Sequence, residues 1–144
     1  MRNFFILLFS IFIIFSCSKK EPEALSTPSN QDEAIKVYRE GLKDLEDGQF
    51  FLARKKFDQS ESLLPQTQWA AKSALMSSFC LYSMNFYDDA ILNLKRFTKT
   101  YPADANIDYA NYLIAISYYE QILDEDKDIE PLILSKNEIE KFID

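Results

Sequence analysis

Sliding this sequence against itself produces one strong match, at an offset of 37 residues. Phe50-x-x-Ala53-x-x-x-Phe57 followed by Pro65 returns as Tyr87-x-x-Ala90-x-x-x-Leu94 followed by Pro102, and Gly48 returns as Asn85. Upstream, Tyr38, Gly41, Leu42 and Leu45 return as Leu75, Ser78, Phe79 and Tyr82, and again as Tyr112, Ala115, Ile116 and Tyr119. A fixed period of this size means stacked supersecondary units, none of which can bury its apolar face alone. The spacing inside each unit is that of helix faces. With two glycines in the whole chain and valine nearly absent, strands and hairpins have little to build on, so the expected fold is all-α.

Each unit reads as a helix, a turn at Gly48 or Asn85, a second helix and a closing proline. These units resemble tetratricopeptide repeats, which implies a solenoid of helical hairpins. Gly41, Ser78 and Ala115 are the small residues that let paired helices approach, Ala53 and Ala90 do the same from the second helix, and the aromatic beside the turn wedges the pair. The repeats are assigned to 31–66, 67–103 and 104–144. Asn30, with Glu33 three residues on, reads as a capping box that opens the body. In the third unit the first helix is expected from about Ile107 to Leu123, after which Asp124-Glu125-Asp126-Lys127-Asp128-Ile129-Glu130 precedes Pro131. Placing Ser135 at the repeat alanine means a gain of eight residues, and Ser135-x-x-x-Ile139-x-x-Phe142 then fits the second helix. No polar capping helix covers the end at Asp144, so either the protein is short or further repeats follow.

The amino terminus has a different character. Arg2 precedes the apolar run Phe4 to Phe15, whose twelve residues fall short of the roughly 20 a membrane span needs, so residues 1–16 read as a secretory signal peptide. Ile14-Phe15-Ser16-Cys17 resembles a lipobox. That resemblance implies cleavage between Ser16 and Cys17, diacylglycerol on the Cys17 thiol, and a further acyl chain such as palmitate on its freed amino group. Two or more chains give stable membrane attachment where one does not. Residues 17–30, with Pro22, Pro28 and three serines, read as a flexible linker behind the lipid. Cys80 would then be the only remaining thiol, and its place in an apolar helix pattern marks it as a core residue.

Removing residues 1–16 moves the formal charge from −7 to −8. An acidic chain without histidine is the wrong material for tracking phosphates, which excludes nucleic acid as an expected partner. No Gly-rich phosphate loop or nucleophile elbow is present, so no catalytic residues and no cofactor beyond the lipid are assigned. Asp124, Asp126 and Asp128 alternate like the opening of a calcium loop, but Ile129 stands where that loop needs glycine and Ser135 where it needs a bidentate glutamate. No metal site is assigned, and the stretch reads as a solvated acidic turn.

Tyrosines are the candidate binding groups. Tyr38, Tyr82, Tyr109, Tyr112, Tyr118 and Tyr119 fall on first helices, which line the concave side of tetratricopeptide folds. There, rings can grip apolar side chains of an extended peptide while hydroxyls meet its backbone. Tyr38, Tyr82, Tyr112 and Tyr119 are taken as the partner-binding candidates, with packing between repeats as the competing role. Tyr109 and Tyr119 point to different faces, because ten residues make about 2.8 turns.

Three stretches together resemble the BamD family, lipoprotein subunits of the outer-membrane β-barrel assembly machinery. They are YREGLKDLEDGQFFLARKKF (Tyr38 to Phe57), FYDDAILNLKRFTKTYP (Phe86 to Pro102), and IDYANYLIAISYY (Ile107 to Tyr119) with the acidic turn and Pro131 after it. The resemblance covers the amino-terminal part of the family, whose members typically carry five repeats. It implies a non-enzymatic scaffold, lipid-anchored at the periplasmic face of the outer membrane. It also implies a role in receiving unfolded outer-membrane β-barrel proteins and working with BamA and the other assembly-machinery lipoproteins, with docking to BamA largely through later repeats. A different tetratricopeptide-like periplasmic lipoprotein, serving pilus assembly or cell-envelope and division coordination, is the alternative.

Overall fold

The computed structural model describes residues 29–122 and 129–143, the side chain of Phe142 excepted. The signal peptide, Ser16, Cys17, the linker up to residue 28 and the acidic stretch 123–128 lie outside the described residues. Six helices follow in order: α1 Asn30–Glu46, α2 Phe50–Leu63, α3 Gln68–Ser83, α4 Tyr87–Thr100, α5 Ile107–Tyr119 and α6 Glu130–Ile143. No strand occurs among the described residues.

The helix ends explain the period. α1 opens one residue earlier than the Asn30 capping box predicts. Ser29 is the cap, its Oγ accepting from the Asp32 amide at 3.2 Å and donating to the Asp32 carboxylate at 2.8 Å. Asn30 is already helical, so a serine in extended backbone takes the capping place. At the other end the Gly48 amide donates to Leu45 O (3.0 Å) and the Gln49 amide to Asp44 O (2.8 Å), with Gly48 at φ +73°. Thirty-seven residues on, the same two bonds recur, from Asn85 to Tyr82 O (2.9 Å) and from Phe86 to Leu81 O (3.0 Å), with Asn85 at φ +63°. This is the Schellman closure, and it requires a residue that tolerates left-handed backbone. In the third unit that place falls to Ile122, which is β-branched and does not adopt positive φ. Its amide still donates to Tyr119 O, and the extra residues follow in the sequence. α5 accordingly ends at Tyr119, short of the Leu123 expected from the sequence.

Packing follows the predicted register. A Cβ on Gly41 would stand 3.0 Å from Phe57 Cε1 and 3.1 Å from Lys56 Cβ, so glycine sets how closely α1 and α2 approach. Ser78 and Ala115, its counterparts, are buried, as are Ala53, Ala90 and Ser135. Ser135 Oγ donates to the Ala115 carbonyl at 3.1 Å, which brings together the two small residues of the third unit and supports its eight-residue gain. Phe57, fully buried, forms one core with Ala53 and Cys80, covered by Tyr38, Leu42, Leu45, Phe50 and Met76. A second core joins the later helices through Ala74, Leu94, Phe97, Leu113 and Ile114. Cys80 is a free, buried core thiol, as its apolar setting predicts.

Each helix packs on its sequence neighbours, and α1 also touches α3 and α3 touches α5, whereas among the described residues α2, α4 and α6 make no comparable mutual approach. First helices therefore form the inner side of the stack and second helices the outer. Polar contacts tie successive units together. Ser60 Oγ donates to Ala34 O (2.9 Å) and accepts from Ser73 Oγ (3.0 Å), so a buried hydroxyl chain crosses three helices. On the outer side Arg96 holds Glu61 through two guanidinium nitrogens at 2.6 and 3.0 Å, with the Tyr101 hydroxyl at 3.5 Å. That fork links the second helix of one unit to the second helix of the next.

Candidate functional site

The inner side carries the tyrosines, and the structure divides them. Tyr38 is half-buried on α1, its ring 5.3 Å from Phe57 and 5.5 Å from Trp69 of α3. Burial raises its phenol above the ordinary value. It packs between the first and second units.

Tyr82, near the end of α3, is half-buried against the second core and lies 5.8 Å from the Tyr87 ring. Its phenol is raised first by burial and then by the charges of Glu120, Tyr87, Tyr112 and Tyr109. Tyr109 and Tyr112 stack on one another along α5 at 6.3 Å and 24°, and burial followed by Tyr112 raises Tyr109. Tyr112 is 47% exposed and Tyr119 is 58% exposed. Of the four candidates, Tyr38 is taken up between Phe57 and Trp69, Tyr82 packs against the second core and Tyr87, and Tyr112 and Tyr119 are exposed on α5.

Sequence reasoning left three members out of its candidate set. Tyr109 was visible as a first-helix tyrosine and is the stacking partner of Tyr112. Tyr87 sits on α4 in the wedge position that Phe50 occupies in the first unit, and Glu120 is the C-cap of α5. The Tyr82–Tyr87 contact depends on how α3 and α4 pack, which a linear pattern does not encode.

With phenols raised, Tyr82 and Tyr109 stay protonated at neutral pH and can both donate and accept. The cluster therefore offers flat apolar rings, hydroxyls and one carboxylate on a partly open face. This suits an extended polypeptide. Among the described residues there is no group of three or more side chains able to hold a metal ion, and no helix is long and apolar enough to cross a membrane.

The family model described as YfiO, outer membrane lipoprotein, matches residues 30–144. Curated relatives agree. A Caulobacter vibrioides protein named outer membrane protein assembly factor BamD is 36% identical over 92 residues, covering 64% of this chain and 30% of its own length. The Rickettsia prowazekii protein of the same name is 29% identical over 126 residues, 88% of this chain and 48% of its own. The Neisseria gonorrhoeae BamD is 28% identical over 92 residues, 63% of this chain and 34% of its own. The chain thus spans about a third to a half of the length of these relatives. Because the match starts where α1 starts and runs through all six helices, the chain belongs to the YfiO family of outer membrane lipoproteins.

Proposed function

We propose that this protein is a non-enzymatic scaffold in the assembly and insertion of β-barrel proteins into the bacterial outer membrane. Segments of unfolded barrel proteins lie on the inner face at Tyr82, Tyr109 and Tyr112, and BamA and the other assembly lipoproteins are its partners. Lipid on Cys17 holds the body at the periplasmic face of the outer membrane. The observation that carries this reading is that Tyr109 and Tyr112 stack as a partly exposed aromatic pair on a first helix, in a chain whose relatives are named outer membrane protein assembly factors.

The test has two arms. Depletion in cells should leave barrel proteins unfolded in the periplasm, and unchanged barrel levels would remove the proposal. A photo-crosslinking residue at Tyr112 should capture barrel substrates, while the same residue at Lys99, exposed on the outer helix α4, should not. Truncating Tyr109 and Tyr112 together should weaken substrate capture by about fivefold or more, the effect of losing roughly 1 kcal/mol of aromatic anchoring. Metabolic labelling with palmitate should mark the chain and fail to mark Cys17→Ser.

A further inference from the structure

The turn edge of the first two units carries apolar surface that the repeat does not require. Phe51 is 55% exposed, Leu52 46% and Phe86 54%. Their counterparts 37 residues away are Asp88, Asp89 and Gln49, so the same register positions fold equally well with charged or polar side chains. These hydrophobes are not there for packing. Beside them a shallow open depression of about 280 Å³ is lined by Gly48, Gln49, Phe50, Phe51, Leu52 and Met84, joining the turn of one unit to the turn of the next. It is large enough for an apolar side chain entering from outside.

The rim is acidic. Glu46 and Asp47 immediately precede the Gly48 turn and Asp88 and Asp89 immediately follow Phe86, all exposed and none in an ion pair among the described residues. Of the nearby cations, Lys43 lies one turn before Asp47 and Lys55 lies 4.9 Å above the Phe51 ring, which leaves the four carboxylates in excess. An apolar cleft with net negative surroundings repels anionic lipid surfaces and acidic peptides, and it favours a segment whose apolar side chain is flanked by lysine or arginine. We propose that the Phe51–Leu52–Met84–Phe86 edge is a second docking surface, separate from the tyrosine face, for a partner polypeptide presenting an apolar anchor between basic residues.

The probes are three fluorescein-labelled hexapeptides, KKLFKK, EELFEE and KKSSKK, titrated by anisotropy against the purified full chain in phosphatidylcholine nanodiscs. KKLFKK should bind at least tenfold more tightly than either control, and its affinity should fall as salt is raised. Replacing Phe51→Asp and Phe86→Gln, the residues found at the matching register, should lose at least tenfold of that binding with an unchanged circular-dichroism melting curve. Asp88→Asn with Asp89→Asn should weaken KKLFKK and strengthen EELFEE. Equal binding of KKLFKK and EELFEE, no binding of KKLFKK, or wild-type affinity in the Phe51/Phe86 variant would each overturn the proposal. So would concentration-dependent dimerisation abolished by that variant, which would assign the edge to a second copy of the chain.

Discussion

Gly48 allows a clean test of the turn that generates the period. Its φ is +73°, and a Cβ built there meets nothing within 4 Å, so Gly48→Ala introduces no clash and isolates the backbone cost. Left-handed backbone costs a residue with a Cβ roughly 1–2 kcal/mol, while restricting the unfolded chain returns ~0.4–1 kcal/mol. The expected net loss is about 1 kcal/mol, or about 4 °C in Tm for a body of this size. Gly48→Asn should cost less, ~0.5 kcal/mol, because Asn85 adopts φ +63° at the matching place in the second unit. Urea unfolding followed at 222 nm measures both, and an unchanged denaturant slope would show that stability changed without a change in the surface exposed on unfolding. If Gly48→Ala proved as stable as wild type, or Gly48→Asn as damaging as Gly48→Ala, the left-handed closure would not be what the turn demands.

Three further outcomes follow from the packing. Ser135→Ala should cost at most ~1 kcal/mol, since Ala90 fills the matching place, whereas Ser135→Leu should cost ~1–3 kcal/mol by prising α6 from α5; equal stability of the two in chemical denaturation would contradict the register. Arg96→Lys keeps the charge but loses the two-pronged grip on Glu61, and a double-mutant cycle with Glu61→Gln should return a coupling of ~0.5–1 kcal/mol, discounted because Arg96 is 44% exposed; additivity of the two would show that the fork does not couple the units. Burial, followed by the charge of Asp58, pushes the Cys80 thiol up to about 12 from the 9.0 expected of a free one, so between those values the unfolded chain holds fewer protons and stability falls as pH rises. Tyr38, Tyr82, Tyr101 and Tyr109, all raised from 10.0, add the same sign at higher pH. Cys80→Ser should therefore flatten the decline that begins near pH 9, and an identical alkaline profile in wild type and variant would refute the assignment.

Much of the architecture was legible because a repeat writes its packing into the chain. Gly41, Ser78 and Ala115 at one period and Ala53 and Ala90 at another mark where helix axes must come close, and small residues occupy all of those places. Gly48 and Asn85 announce left-handed turns by their residue type alone.

What the linear pattern could not decide was which tyrosines share a face. Periodicity pairs Tyr38 with Tyr112 and Tyr82 with Tyr119, yet Tyr38 is taken up by Phe57 and Trp69 while Tyr112 stays exposed and stacks on Tyr109. The sequence alone determined a stack of helical hairpins, because close approach and turn geometry are paid in local side-chain size. Only the tertiary structure decided which tyrosines are covered and which stay open, because that depends on how successive hairpins pack on one another, a quantity to which no single residue is bound.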